Sequence, residues 1–383
     1  MKNRNIQFIV TSGRLHEYNF IRFILPHDNI TFYSDTGHSD PSNVEIEQYY
    51  REHNIKVVDA KKYENVKFRI VRILLNLFSG IKTIIKSRQI DYDYCFISFL
   101  STRRAILSKF IPKNRKTILI AHGSDILRKT NFNEFFFNSM LKNSYRIIFN
   151  SENVKNQFIN HYGNKYADKS EYIPFPSSSF ERVDIAVAGI SPFEAKKEFN
   201  LPTDKVIVIC GHTSTFEEQF EYMIPALECV SDDILKNCHF VFPMTYGNGN
   251  YENYRNKIES LLSKSKLNYT VLHDYCTVDE MARLHLCSDI HISSIKTDAL
   301  SIFMQEELYL GARLIYGEWL DYPELRNNHI LYDTFKSFQE LPIVFENVYN
   351  SSDFSIPANS REKVKQLKSI SSIISKWNEV LKE

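Results

Sequence analysis

Short β-branched runs alternate with longer amphipathic stretches along this chain, and the alternation stops once and restarts. In the first half "IQFIVTS", "ITFYSD", "IKVVDA", "YDYCFISF", "KTILIAHG" and "YRIIFNS" read as strands. "EYNFIRFIL", "EIEQYYREHN", "KFRIVRILLNLFSGIKTIIKSRQ" and "SENVKNQFINHYG" read as helices, the last capped by Ser151. Strands separated by helices pair in parallel, so this half predicts a doubly wound α/β sheet. From about 174 to 204 the pattern gives way to a Ser- and Pro-rich stretch, read as an inter-domain connection. It resumes with "KVIVICGHTS", "CHFVFPMTYG", "NYTVLHDY", "DIHISSI" and "ARLIYG" as strands and helical patterns between them. The tail "SREKVKQLKSISSIISKWNEVLKE" reads as one amphipathic helix. A length of 383 residues suits two such domains. Ligands of parallel sheets sit at the carboxyl ends of the strands, which makes the loops there the candidate site.

Hydrophobic residues at 43% and charged residues at 24% are enough for buried cores, and exclude collagenous or disordered chains. The net charge of +1 hides an asymmetry. Residues 1–150 hold 24 Lys and Arg against 13 Asp and Glu, leaving 23 against 33 in the rest. The basic half suits nucleic acid, anionic lipid or a phosphorylated substrate. Six cysteines without a C-x-x-C pair read as reduced thiols, and no spacing suggests a metal site. The N-terminal apolar run is too short for a signal peptide. No uncharged apolar stretch reaches the roughly 18 residues of a spanning helix.

Five segments carry candidate chemistry. "CGHTS", Cys210 to Ser214, runs from a strand into a Gly turn and toward a helix near Phe216. Its amides, with the Thr213 and Ser214 hydroxyls, could cradle a phosphate, or the turn is only a turn. It is neither a Walker loop nor G-x-G-x-x-G. "ILIAHGSDIL" puts His122 at a strand's carboxyl end, where an imidazole could donate to a sugar hydroxyl or a developing phosphate charge. "FVFPMTYGNGNYENY" could hold a nucleobase with aromatic and backbone groups, Tyr246 among them, or be a plain loop. "KFRIVRILLNLFSGIKTIIKSR" has basic residues among apolar ones and suits an anionic membrane surface or the face of a sheet.

The fifth is "TDALSIFMQEELYLGARLIYGEW". Asp298 and Glu306 on one helix would be turned apart, since eight residues rotate about 800°. The spacing works if Asp298 is on the loop after "DIHISSI" and Glu306 on the helix. One of Glu306 and Glu307 is then expected to face solvent and the other the sheet, where it needs a donor such as a ribose diol, or the segment carries only two solvated carboxylates.

In their order these elements resemble a GT-B glycosyltransferase, a fold of two Rossmann-like domains facing a central cleft. "SGRLHEYNFIRFI" resembles its Gly loop and first helix. "AHGSD", "YRIIFNSENVKNQF", "EYIPFP" and "VLHDYCTVDEMARLHLCSDIHIS", which contains Tyr275, resemble glycosyltransferase family 4. The fifth segment then resembles that family's E-x7-E, with Asp298 in place of the first Glu. "FVFPMTYGNGNYENYRNKIESLL" is similar to family 56, which transfers 4-acetamido-4,6-dideoxygalactose to a lipid-linked acceptor.

The resemblance implies an acceptor-binding domain over 1–178, a nucleotide-sugar-binding domain over 179–360, and a C-terminal helix over 361–383 that packs back toward the first. It implies transfer of a hexosyl or N-acetylaminosugar unit from a nucleotide-diphosphate sugar, with retention and without a bound metal or other cofactor. Catalytic roles fall to His122 and Asp298. Gly13, Arg14, Gly211, His212, Thr213, Ser214, Tyr246, Tyr275, Ser301, Ile302 and Glu306 are implied as donor-binding. Expected partners are the nucleotide sugar, a lipid-linked or oligosaccharide acceptor of lipopolysaccharide or capsule type, and an anionic membrane surface, but no nucleic acid. The implied location is cytoplasmic, peripheral on the inner face of the plasma membrane. A nucleotide-sugar epimerase, a phosphorylase and a non-catalytic sugar- or lipid-binding scaffold share the fold. The Arg and Lys that follow the first C-domain strand in family 4 are not evident, which would leave the phosphate to Arg14, Lys296 or a helix terminus.

Overall fold

A computed structural model describes residues 3–10, 15–34, 44–127, 131–176, 179–247, 251–351, 358–367 and 370–382. The chain divides into two compact units, Met1–Ser177 with Lys368–Glu383, and Ser178–Leu367. Each unit is built on a wholly parallel sheet.

In the first unit the strands are β1 (Asn5–Val10), β2 (Asn29–Ser34), β3 (Lys56–Asp59), β4 (Tyr94–Ser98), β5 (Lys116–Ala121), β6 (Arg146–Phe149) and β7 (Ser170–Tyr172). Their order across the sheet is β3-β2-β1-β4-β5-β6-β7. The second unit has β8 (Val206–Cys210), β9 (Cys238–Pro243), β10 (Tyr269–Leu272), β11 (Ile290–Ser293), β12 (Arg313–Gly317) and β13 (Asp333–Phe335). Their order is β10-β9-β8-β11-β12-β13. In both sheets the order of strand addition therefore switches sides once, between β1 and β4 and between β8 and β11. A crevice opens at such a switch point, outside the strands' carboxyl ends.

Helices cover these sheets, so the central strands are buried on both faces and read as continuous apolar runs. β4 is buried at all five positions. The first core stacks Phe8 on Phe96 with ring centres 4.8 Å apart. The second gathers Val208, Phe220, Phe240, Phe242 and Phe345.

Three expectations are corrected. The stretch read as a connection carries helices Ser179–Ala186 and Pro192–Glu198 within the second unit. Ser191 starts the latter with a capping box, its hydroxyl accepting from Glu194 N at 3.2 Å and its amide donating to Glu194 Oε2 at 2.8 Å. The tail read as one unit's helix is divided between the two, with Ala358–Leu367 in the second unit and Ile370–Val380 in the first. Ser151 occupies the N-cap position of helix Glu152–Tyr162, but its hydroxyl makes no capping bond and is buried.

Candidate functional site

In the second unit, β8 ends at Gly211, whose φ is +59°. A Cβ there would lie 2.6 Å from Glu218 Oε2 and 2.7 Å from the Phe220 ring, so only glycine fits. Glu218 is fully buried beneath the turn. Its Oε1 accepts from His212 N at 3.2 Å, Thr213 N at 3.0 Å and Thr213 Oγ1 at 2.7 Å. His212 Nδ1 stands 3.4 Å from the same oxygen, at ion-pair range but outside hydrogen-bond geometry. Ser214 N donates to Tyr246 O at 2.7 Å, and Ser214 Oγ to Tyr251 O at 3.0 Å. The amides expected to face a phosphate thus hold the protein's own carboxylate, which would repel one.

Asp298 sits in the loop between β11 and helix Ile302–Leu310. Its Oδ2 accepts from Ser301 N at 2.7 Å and from the Tyr322 hydroxyl at 2.9 Å. A side chain of Asp length reaches an amide three residues on, and its charge favours the helix N-terminus. Leu300, between them, has φ +60°. Tyr322 is fully buried, and its hydroxyl pKa is raised by that burial first and by Asp298 next. Ser301 caps the helix through Met304 N, and Ile302 is exposed at its first turn.

Helix Ile302–Leu310 is buried from Phe303 through Leu308. Neither glutamate faces solvent, which corrects the expected division. Glu306 Oε1 accepts from the Ser179 hydroxyl, and Oε2 lies 3.2 Å from His285 Nδ1. Glu307 Oε2 accepts from Ser288 Oγ at 3.1 Å and lies 3.1 Å from His291 Nδ1. Phe303 wedges among three histidines, its ring centre 4.2 Å from His285, 5.3 Å from His212 and 5.6 Å from His291. Such a helix has polar groups on its buried faces, and each needs an internal partner. Tyr246 lies beside the turn and Tyr275 is exposed after β10. Burial, then Glu218, Tyr275 and Asp298, push the Tyr246 hydroxyl up to about 12.

In the first unit His122 follows β5. Asp125 accepts from His122 N at 3.0 Å and Gly123 N at 2.9 Å on Oδ1, and from Leu100 N at 2.8 Å on Oδ2. Gly123 has φ +113°. Burial pushes the Asp125 carboxyl up to about 6, against the pull of these amides. His122 Nε2 is 2.8 Å from Ser98 Oγ, and Ser98 Oγ donates to the buried Glu17 at 2.9 Å. A carboxylate only accepts, so the single hydroxyl hydrogen goes to Glu17 and Nε2 carries the hydrogen toward Ser98. The chain Glu17–Ser98–His122 therefore orients the imidazole and assigns its tautomer. Gly13 and Arg14 lie outside the described residues.

Gly211 to Ser214, Tyr246, Tyr275, Asp298, Ser301, Ile302 and Glu306 all belong to the second unit, and His122 to the first. Glu17, Ser98, Ser179, Glu218, His285 and Tyr322 escape a sequence reading. Each is an ordinary residue in its own segment, and only the acidic pair Glu217–Glu218 just after a Gly turn offers a local signal. Among the described residues no His, Cys, Asp and Glu group is placed to hold a metal ion. No described helix is long and apolar enough to cross a membrane.

No protein-family profile and no curated protein matches the chain. Solved structures do. A glycosyltransferase from Rickettsia africae aligns with a TM-score of 0.72 at 16% identity, over 100% of this chain and 98% of its own. HepE of Anabaena in complex with UDP aligns at 0.72 and 13% identity, over 99% of each chain. A UDP-forming alpha,alpha-trehalose-phosphate synthase from Burkholderia xenovorans in complex with glucose-6-phosphate aligns at 0.68 and 8%, over 99% and 100%. Likeness at these identities shows the fold, GT-B with two Rossmann-like parallel α/β domains, and the neighbours are glycosyltransferases.

Proposed function

We propose that the chain is a glycosyltransferase that moves a hexosyl or N-acetylaminosugar unit from a nucleoside-diphosphate sugar to a lipid-linked or polysaccharide acceptor, with retention, in the manner of families 4 and 56. The observation that carries this reading is the full-length likeness to glycosyltransferases, together with Asp298 and Glu306 flanking the first turn of the helix after β11. UDP in the HepE complex supports a nucleoside diphosphate as the donor's carrier.

In this reading the second unit binds the donor and the first the acceptor. Glu306 takes the ribose hydroxyls by exchanging its bond from Ser179, and Tyr246 and Tyr275 flank the base. The diphosphate lies at the N-terminus of helix Ile302–Leu310, beside Ser301 and Ile302, where the helix dipole stabilises the charge of the leaving group without a metal ion. With Glu218 under the turn, Gly211, His212, Thr213 and Ser214 form the floor of the site rather than a phosphate clamp. Asp298 sets the helix end and meets the sugar with its other oxygen. His122, its N–H turned to Ser98, meets the transferred sugar as an acceptor at Nδ1.

A membrane-borne acceptor is supported by helix Arg69–Lys86. Phe68, Ile70, Val71, Ile73, Leu74, Phe78 and Ile85 are exposed there. From 65 to 90 the chain holds six Lys and Arg and no Asp or Glu. An apolar face with basic flanks suits an anionic lipid surface on the cytoplasmic side.

Calorimetry with UDP, GDP and dTDP, followed by nucleotide release from a donor-sugar library with and without acceptor, tests the reading. One nucleotide should bind, and Glu306→Gln should weaken it by about tenfold, the loss of one charge-assisted hydrogen bond. Release only with acceptor marks a transferase. Binding of none of the three by folded protein would overturn the donor site.

A further inference from the structure

The second unit contains a cavity of about 880 Å³ that includes Lys296 but none of Gly211 to Ser214, Tyr246, Tyr275, Asp298, Ser301, Ile302 or Glu306. It opens at the carboxyl ends of several strands and extends along helix Phe220–Leu227 to Pro225, Ala226 and Cys229. Gln219 comes from the turn after β8, Lys296 from the loop after β11, Trp319 from the end of β12, and Lys336 with Phe338 from the end of β13. Tyr222 and Pro342 close it from helices Phe220–Leu227 and Leu341–Asn350. Its size is that of a small-molecule site, and its mouth adjoins the edge where parallel sheets bind ligands.

The lining is preorganised. Trp319 Nε1 donates to Ile295 O at 2.9 Å. Its ring meets Phe335 edge-on at 5.3 Å and lies against Gly317, where a Cβ would come within 2.2 Å of the indole. The indole is nonetheless 38% exposed. Gln219 holds the left-handed conformation at φ +59°, with its amide on Ser294 O at 2.6 Å. A non-glycine residue kept there stores strain of a kind that gathers at ligand sites.

The lining holds two lysines and one carboxylate, and Glu340 Oε2 beside it accepts from Lys336 N at 2.7 Å. Lys296 and Lys336 have no ion-pair partner among the described residues, and Lys296 Nζ stands 4.7 Å from the Phe216 ring centre. Glu221, the one carboxylate in the lining, already accepts from the Tyr254 hydroxyl at 2.6 Å and pairs with Lys257 at 3.5 Å. Two ammonium groups without an ion-pair partner beside the partly exposed Trp319 suit a ligand with an anion on one end and a C–H-rich face on the other.

We propose that this cavity binds a sugar unit carrying phosphate or carboxylate, its ring face on Trp319 and its anion at Lys296 and Lys336. The site goes beyond the transferase reading and stands without it, because it shares no residue with Glu306, Asp298 or His122.

The chain has two tryptophans, and Trp377 is fully buried in the first unit, so a fluorescence change on ligand addition reports Trp319. Titrations with glucose 6-phosphate, glucuronate, glucose and UDP distinguish the cases. The expected result is a saturable change with at least one of the two anionic sugars, absent in Trp319→Phe. Lys296→Ala and Lys336→Ala, both at exposed positions, should each weaken the response about tenfold. No saturable change by about 10 mM overturns the proposal. So does an equal response to glucose, an unchanged response in both lysine variants, or a response to UDP alone. UDP binding measured by calorimetry in Trp319→Phe separates the outcome from that of the donor site.

Discussion

Glu306 and Glu307 are neighbours in the chain and share one environment type, yet they reach different partners. Glu306 touches Ser179 and His285, and Glu307 touches Ser288 and His291. A periodic pattern places one of two adjacent helical residues outward, but this helix is covered on both sides and the pattern loses its meaning. Asp125 shows a different residue-scale consequence. Burial raises its pKa from the ordinary carboxylate value to about 6, so between about pH 4 and 6 the folded chain keeps a proton that the unfolded chain has released. Its contribution to stability is therefore present at low pH and lost as pH rises through about 6. Denaturation of wild type and Asp125→Asn at pH 4 and pH 7 checks this. The balance between them should move against wild type by up to about 3 kcal/mol on going to pH 7. A constant difference would mean that the backbone amides hold Asp125 ionised throughout.

Among the elements, helix Arg69–Lys86 departs furthest from what its sheet requires. Gly80 and Ile84 are its buried residues, and Gly80 lets Leu107 approach to 3.2 Å of where a Cβ would stand. One turn of the helix thus contacts the core, while Phe78 and Ile85 face outward at 66% and 43% exposure. The amphipathic spacing was readable, but which stripe faced the sheet was not, because apolar residues occur around much of the helix. Phe78→Glu should leave thermal stability unchanged, within about 0.5 kcal/mol, since the ring packs on little. It should reduce sedimentation with anionic liposomes severalfold by placing a charge on the apolar face. Equal pelleting of wild type and variant, or equal pelleting with neutral and anionic lipid, would count against the membrane role.

At the scale of the whole molecule the chain leaves the first unit at Ser177 and returns to it at Lys368. The returning helix Ile370–Val380 buries Trp377 against Phe20, 4.6 Å between ring centres, and Phe96, 6.1 Å. Tyr94 donates to Leu381 O at 2.9 Å and fastens its end. Trp377→Ala should cost the first unit about 3–5 kcal/mol. Urea unfolding followed by proteolysis should show residues 1–177 becoming susceptible first, with residues 178–367 still resistant; simultaneous loss of both would contradict the division. The alternation of strands and helices, repeated after one interruption, was sufficient to determine two parallel α/β sheets, because a strand covered on both faces must be apolar throughout and that is visible locally. The Gly211 turn and the placement of Asp298 ahead of its helix were legible for the same reason. What the tertiary structure alone decided was the partner of each buried polar group. Glu218 comes to lie under the 212–213 amides, Tyr322 reaches Asp298 from 24 residues away, and Ser179 reaches Glu306 from 127. Burial obliges each such group to find a partner, but the crossing of distant segments chooses which one, and no local pattern records it.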